Sequence, residues 1–169
     1  LESMAKTQIV DRLRKVTEAL ASSYGWIIID TPPNLGVLTT NAMVAADYVL
    51  IPSPINGLAV STMRQLAAHI DFVRGNQNDL LQTLGVLVTM KDARTKLNDK
   101  LVKEVREIFG KDALFKTEIT TNTKLEEAPG EFQSIYSYDS SCVGANLYRD
   151  FLKKELLKKL KAMEKRRAE

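Results

Sequence analysis

With 169 residues, 44% of them hydrophobic and 27% charged, the chain is long enough for one domain with a sizeable core and is ordinary in composition for a globular protein. No apolar run approaches the ~20 residues of a membrane span, no signal-peptide pattern opens the chain, and the single cysteine, Cys142, leaves no internal disulfide, which fits a reducing cytoplasm. The net charge of +3 is uneven: residues 149–169 hold nine Lys or Arg against four Asp or Glu, and the lone His69 speaks against a zinc site or a Ser-His-Asp triad.

Residues 1–23 have helical periodicity, with Ile9, Leu13, Val16 and Leu20 at three- and four-residue spacing, ended by Ser22-Ser23-Tyr24-Gly25. Trp26-Ile27-Ile28-Ile29 follows without polar alternation, which predicts a strand buried on both faces, as in a parallel sheet. Residues 37–46 read as a short helix, 48–52 (YVLIP) as a second buried strand, and 58–74 as a helix stopped by Gly75. Residues 84–90 (LGVLVTM) predict a third strand, and a charged loop, KDARTK, follows it. A helix capped by Asn98 then runs to Gly110. Residues 113–119 predict a fourth strand, 120–138 a loop-rich stretch and 143–165 a basic final helix. Alternating strands and helices without a repeat or linker predict one α/β domain over residues 1–169, a parallel sheet with flanking helices.

Asp30 closes the first predicted strand, and Pro32-Pro33 stiffen the backbone behind it. Ligands of open α/β sheets bind at the carboxyl ends of strands, so an acid there suits a Mg²⁺-nucleotide site; an acid capping a turn is the plainer alternative. Likewise Met90 reads as a core residue, Asp92 with Arg94 as a surface ion pair, Glu126-Glu127 as a helix start, and the lysines of the tail as the wet face of an amphipathic helix. No G-x-x-x-x-G-K-[ST] phosphate loop occurs in the chain.

Five motifs in order, YGWIIIDTPPNLG (24–36), ADYVLIPSP (46–54), LGVLVTMKDARTKL (84–97), TNTKLEEAP (121–129) and GANLYRDFLKKEL (144–156), resemble the ParA/Soj family of plasmid and chromosome partition ATPases. That family belongs to the deviant Walker-A class of P-loop NTPases, together with the Min-system ATPase. The resemblance implies that the chain has the C-terminal portion of that fold and that its parent uses ATP and Mg²⁺. Asp30 is then the residue for Mg²⁺ and the attacking water. Thr31, Pro32 and Pro33 form the segment that answers the γ-phosphate. Met90, Asp92, Arg94 and Thr95 frame the base and the dimer interface, and Glu126, Ala128 and Pro129 lie near the nucleotide edge. Arg149, with Lys153, Lys154, Lys158 and Lys159, is expected to hold the phosphate backbone of non-specific DNA. Thr120-Thr121 stands where the family has a Pro-Arg pair used on DNA, which leaves more of that task to the tail.

The resemblance further implies a homodimer in the ATP state, a centromere-binding ParB-like partner, and a cytoplasmic, nucleoid-associated protein without a membrane. The family's phosphate loop lies upstream of every motif quoted, and the chain opens at Leu1 rather than at a methionine, so a fragment that does not hydrolyse ATP alone is expected. A non-catalytic docking module and a Min-like membrane-surface ATPase are the rival expectations. Ala162, Met163 and Ala168 are thin apolar contacts for the second of these.

Overall fold

The structure, a computed structural model, describes residues 11–54, 57–92, 94 and 99–168. The elements are α1 (Arg12–Leu20), α2 (Val37–Ala45), β1 (Tyr48–Ser53), α3 (Gly57–Asn76), β2 (Gln82–Lys91), α4 (Asp99–Phe109), β3 (Leu114–Thr120), α5 (Thr123–Glu127), a 3₁₀ turn (Ala128–Glu131), α6 (Ile135–Tyr138), α7 (Val143–Asp150), a π-helical segment (Phe151–Leu156) and α8 (Leu157–Ala168). They fall into two compact units, Leu1–Val49 with Thr62–Thr83, and Leu50–Ser61 with Leu84–Glu169.

The first unit buries Ala42, Met43 and Val44 of α2, Met63, Ile70 and Val73 of α3, and Leu81. The last carbonyls of a helix need partners. Those of α2 receive the Arg14 guanidinium, which donates to Val44 O at 2.9 Å and to Gln77 O at 2.7 Å. Asn78 Nδ2 adds bonds to Met43 O and Ala46 O at 2.9 and 2.8 Å. Gly75 does not stop α3, which continues to Asn76; the N–H groups of Gln77 and Asn78 both close on Val73 O, at 2.8 and 2.9 Å. The apolar stripe of α1 stays largely open, with Val16 and Leu20 exposed.

The second unit is built on the sheet, in the order β1-β2-β3, with β2 and β3 parallel. β2, the third strand predicted, buries five successive residues, 84–88, the mark of a strand covered on both faces. Its Gly85 has φ +139°, and a Cβ there would stand 2.2 Å from Ala113 O. The neighbouring amide makes use of that proximity, since Val86 N donates to Ala113 O at 2.7 Å. Gly110 ends α4 with φ +103° and donates to Arg106 O, as its capping role predicts. The stretch expected to be loop-rich after β3 is instead folded into α5, the 3₁₀ turn and α6.

One predicted strand is absent among the described residues. Residues 26–30 belong to neither strand nor helix, and Trp26, Ile27 and Ile28 are 61%, 40% and 92% exposed. A strand needs a neighbour to pair its backbone and cover over its faces, and the described sheet ends at β1 and β3 without this run. Four apolar residues supply the propensity without supplying the partner, and the expected four strands are three.

Candidate functional site

In the first unit, Asp30 follows the apolar run 26–29, is exposed, and its carboxylate has no hydrogen-bond partner among the described residues. The turn behind it is tightly tied. Asn34 N donates to Pro32 O at 2.8 Å, Gly36 N to Asn34 Oδ1 at 3.0 Å, and the buried Thr39 hydroxyl to Asn34 O at 2.6 Å. The Pro32 and Asn34 carbonyls are thereby tied into the turn and to Thr39 of α2. Thr40 Oγ1 meets both Gly36 O and His69 Nε2 at 3.0 Å, so the single histidine is a partner of this scaffold. Among the described residues no group of three His, Cys, Asp or Glu side chains stands together. One uncommitted carboxylate does fit Mg²⁺, which keeps several waters and takes one or two carboxylates beside substrate phosphates.

In the second unit, β2 and β3 release their loops at the same, carboxyl end. Lys91 pairs with Glu118 across the two strands, and Thr121 N donates to Lys91 O at 2.9 Å. Met90 is 70% exposed, not core, and its φ of 52° is left-handed, a conformation that costs a non-glycine residue about 1 kcal/mol or more. The Arg94 guanidinium and backbone N–H both reach Asp92 and hold its carboxyl below the usual carboxylate range. With the Arg94 side chain 89% exposed and that of Asp92 44%, this is the surface ion pair of the plainer reading. Thr95 and Asn98 lie outside the described residues. Glu126 and Pro129 are exposed on α5 and the 3₁₀ turn, whereas Glu127 is engaged, accepting from Lys124 Nζ and Tyr138 Oη at 2.9 Å each. Lys124 and then Tyr138 keep Glu127 below its ordinary value.

The predicted DNA-binding residues divide. Arg149 is committed within the fold: it donates to Asn146 Oδ1 and Ser140 O, and its guanidinium lies 5.4 Å from the centre of the Tyr136 ring. Lys154 pairs with Asp150 at 2.8 Å. Lys159 donates to Asp112 O at 2.7 Å and lies 5.0 Å from the Phe115 ring centre. Lys153 and Lys158 are exposed without a hydrogen-bond partner among the described residues, and Lys161 and Arg166 join them.

Sequence reasoning missed Glu155, which reads as one more charge in a lysine-rich face. Its carboxylate accepts Lys116 N at 2.7 Å, Thr117 N at 2.8 Å and the Thr117 hydroxyl. Consecutive strand amides normally point opposite ways. Here β3 is bulged, with residues 114 to 118 set against 86 to 88 of β2, and both amides turn to the same acceptor. Burial pushes Glu155 up, but the Thr117 hydroxyl and the two amides outweigh it and hold the carboxyl below its ordinary 4.5. The sign follows: a depressed folded value gives stability that is present above about pH 4.5 and is lost as pH falls through the folded value. In Glu155→Gln, the urea midpoint should be lower at neutral pH and should decline less steeply below that pH; parallel wild-type and variant profiles would refute the assignment.

Comparison with known proteins adds the following. A family model described as an AAA domain matches residues 1–83. The chain is 41% identical over 142 residues to the sporulation initiation inhibitor protein Soj of Bacillus subtilis, a match covering 84% of this chain and 56% of that protein. It is 39% identical over 139 residues to the chromosome partitioning protein ParA of Caulobacter vibrioides, covering 81% and 52%. It is 38% identical over 152 residues to the chromosome-partitioning ATPase Soj of Treponema pallidum, covering 86% and 60%. The chain thus spans about half the length of these curated relatives. Among solved structures, cobyrinic acid a,c-diamide synthase from Mycobacterium smegmatis with bound ADP and magnesium matches with a TM-score of 0.63 at 27% identity, over 84% of this chain and 50% of that one. The same enzyme with a bound ATP analogue and magnesium matches equally well.

Proposed function

We propose, since this chain belongs to the ParA/Soj family of partition ATPases, that it supplies the Asp30 edge and the basic helix of an ATPase that partitions DNA. The observation that carries this reading is identity near 40% over more than four-fifths of the chain, which reaches into both units. In the proposed protein, ATP with Mg²⁺ closes a homodimer, the dimer holds non-specific DNA in the cytoplasm, and a centromere-binding ParB-like partner triggers release. The open carboxylate of Asp30 contacts the metal or its water. The tethered turn 31–36 fixes where that carboxylate stands. Met90, held out from the sheet at the cost of backbone strain, offers an apolar face to the base, with the Asp92–Arg94 pair beside it. The exposed run 26–28 is the place where further strands add.

Phosphoryl transfer depends on positioning and on charge against the phosphates, so these 169 residues by themselves turn over no ATP above background. The test is a chimera in which residues 1–169 replace the matching part of Bacillus subtilis Soj. Hydrolysis by the chimera, and none by the chain alone, is expected; turnover by the chain alone, or a folded and inert chimera, would overturn the proposal.

The DNA-holding row is Lys153, Lys158 and Lys161, with Arg149, Lys154 and Lys159 in supporting bonds. Affinity of the ATP-bound chimera should ignore sequence and fall linearly on a log–log plot against salt. Replacing Lys153 and Lys158 together by Glu should flatten that slope by about two, one for each lost phosphate contact. An unchanged slope would remove these lysines from the interface.

A further inference from the structure

The final helix carries a winding fault that decides which lysines reach solvent. Seven residues of α-helix complete about two turns. In an unbroken helix Lys158, seven after Phe151, would therefore share the face of Phe151, and Lys159 would stand about 80° beyond it. The reverse is observed. Phe151 is buried edge-to-face on Phe115, with ring centres 5.0 Å apart, and it is Lys159 that lies over the same Phe115 ring and bonds Asp112 O. Lys158 is exposed. Eight residues cover what seven should, and the cause is local: over Phe151–Leu156 the winding is π-helical, and Leu157 N–H donates five residues back, to Leu152 O. Such segments are rare and recur at functional sites.

The slower winding sets Phe151, Glu155 and Lys159 on one face, each touching β3 or the turn before it. Glu155, in the middle, grips the bulge through three bonds. Opposite them, Lys153, Lys158 and Lys161 are left in solvent. We propose that the π-helical segment, locked by Glu155 on the β3 bulge, is a phase-setting device that turns Lys159 onto the sheet and presents Lys153, Lys158 and Lys161 as one row to a phosphate backbone. The partner in this statement rests on the proposed function; the device does not.

The test reads the two separately. A methylene over an aromatic face resonates upfield, so in NMR spectra of the 169-residue chain the ε-protons of Lys159, not Lys158, should be displaced. Glu155→Ala frees the lock, the helix relaxes to α winding, and the displacement should pass to Lys158. Deleting the exposed Leu152 makes Lys159 the seventh residue after Phe151. That variant should keep the displacement on Lys159 and lose the five-residue hydrogen bond, and it covers the case in which Glu155→Ala fails to fold. A displaced Lys158 in the unaltered chain, or a Lys159 signal lost on deleting Leu152, would overturn the device. In the chimera, Glu155→Ala should lower the salt slope of DNA binding by about one, whereas mere destabilisation would lower the active fraction at constant slope. A chimera that binds no DNA while the NMR result holds would remove the proposed partner and leave the device standing.

Discussion

Gly85→Ala is expected to cost about 3–5 kcal/mol, combining a backbone conformation that alanine tolerates poorly with overpacking against a neighbouring main chain. The two contributions have separate origins. With φ at +139°, an L-side chain is strained whatever space surrounds it, and the added Cβ would lie 2.2 Å from Ala113 O. That oxygen cannot retreat cheaply, because it accepts Val86 N and so ties the entry of β3 to β2. The residues around the collision, Leu84, Val86, Leu87 and Phe115, are buried, so yielding there opens the core of the second unit. Against a total stability of about 5–15 kcal/mol, the loss removes between about a fifth and all of what holds the fold. Urea denaturation should show the midpoint collapsing or no transition at all; a midpoint within error of wild type would show that the strands do not approach as described.

Much of the second unit was legible in advance. β1, β2 and β3 are β-branched runs bounded by Pro, Gly or charge, and each formed within two residues of its expected limits. Gly110 announced its own positive φ by standing just past the last apolar position of α4. The run Trp26–Ile29 carries the same local signal and is not a strand, because strand formation depends on a partner that local sequence does not name. Met90 looked like core for a similar reason: an apolar residue at a strand end is usually buried, and only the left-handed turn of its backbone takes it out.

The candidate site was less legible, and charge is the reason. Nothing distinguishes Lys159 from Lys158 in the sequence; the difference is one residue of winding, imposed by contacts with β3. Arg149 is expected on DNA from the sequence; the fold adds that its Nη1 and Nη2 donate to Asn146 Oδ1 and Ser140 O and that its guanidinium lies over the Tyr136 ring. Glu155, which organises the helix, is invisible without the bulge whose amides it binds. Asp30 is the contrary case. An acid after an apolar run, followed by two prolines, marked the position, and the carboxylate is uncommitted among the described residues.

That free carboxylate is also where the central claim is most exposed. If Asp30 holds Mg²⁺ or its water beside the transferred phosphate, its removal withdraws charge and positioning at the step where both act, an effect of about 10²–10³-fold in kcat by analogy with the loss of one preorganised transition-state contact. Asp30 is exposed and makes no hydrogen bond among the described residues, so Asp30→Ala should leave the fold and its urea midpoint unchanged. The decisive measurement is steady-state ATP hydrolysis at saturating Mg²⁺ by the Soj chimera and by its Asp30→Ala variant. The account predicts a fall in kcat of at least about 100-fold with the protein still folded; equal turnover by the two proteins would contradict it.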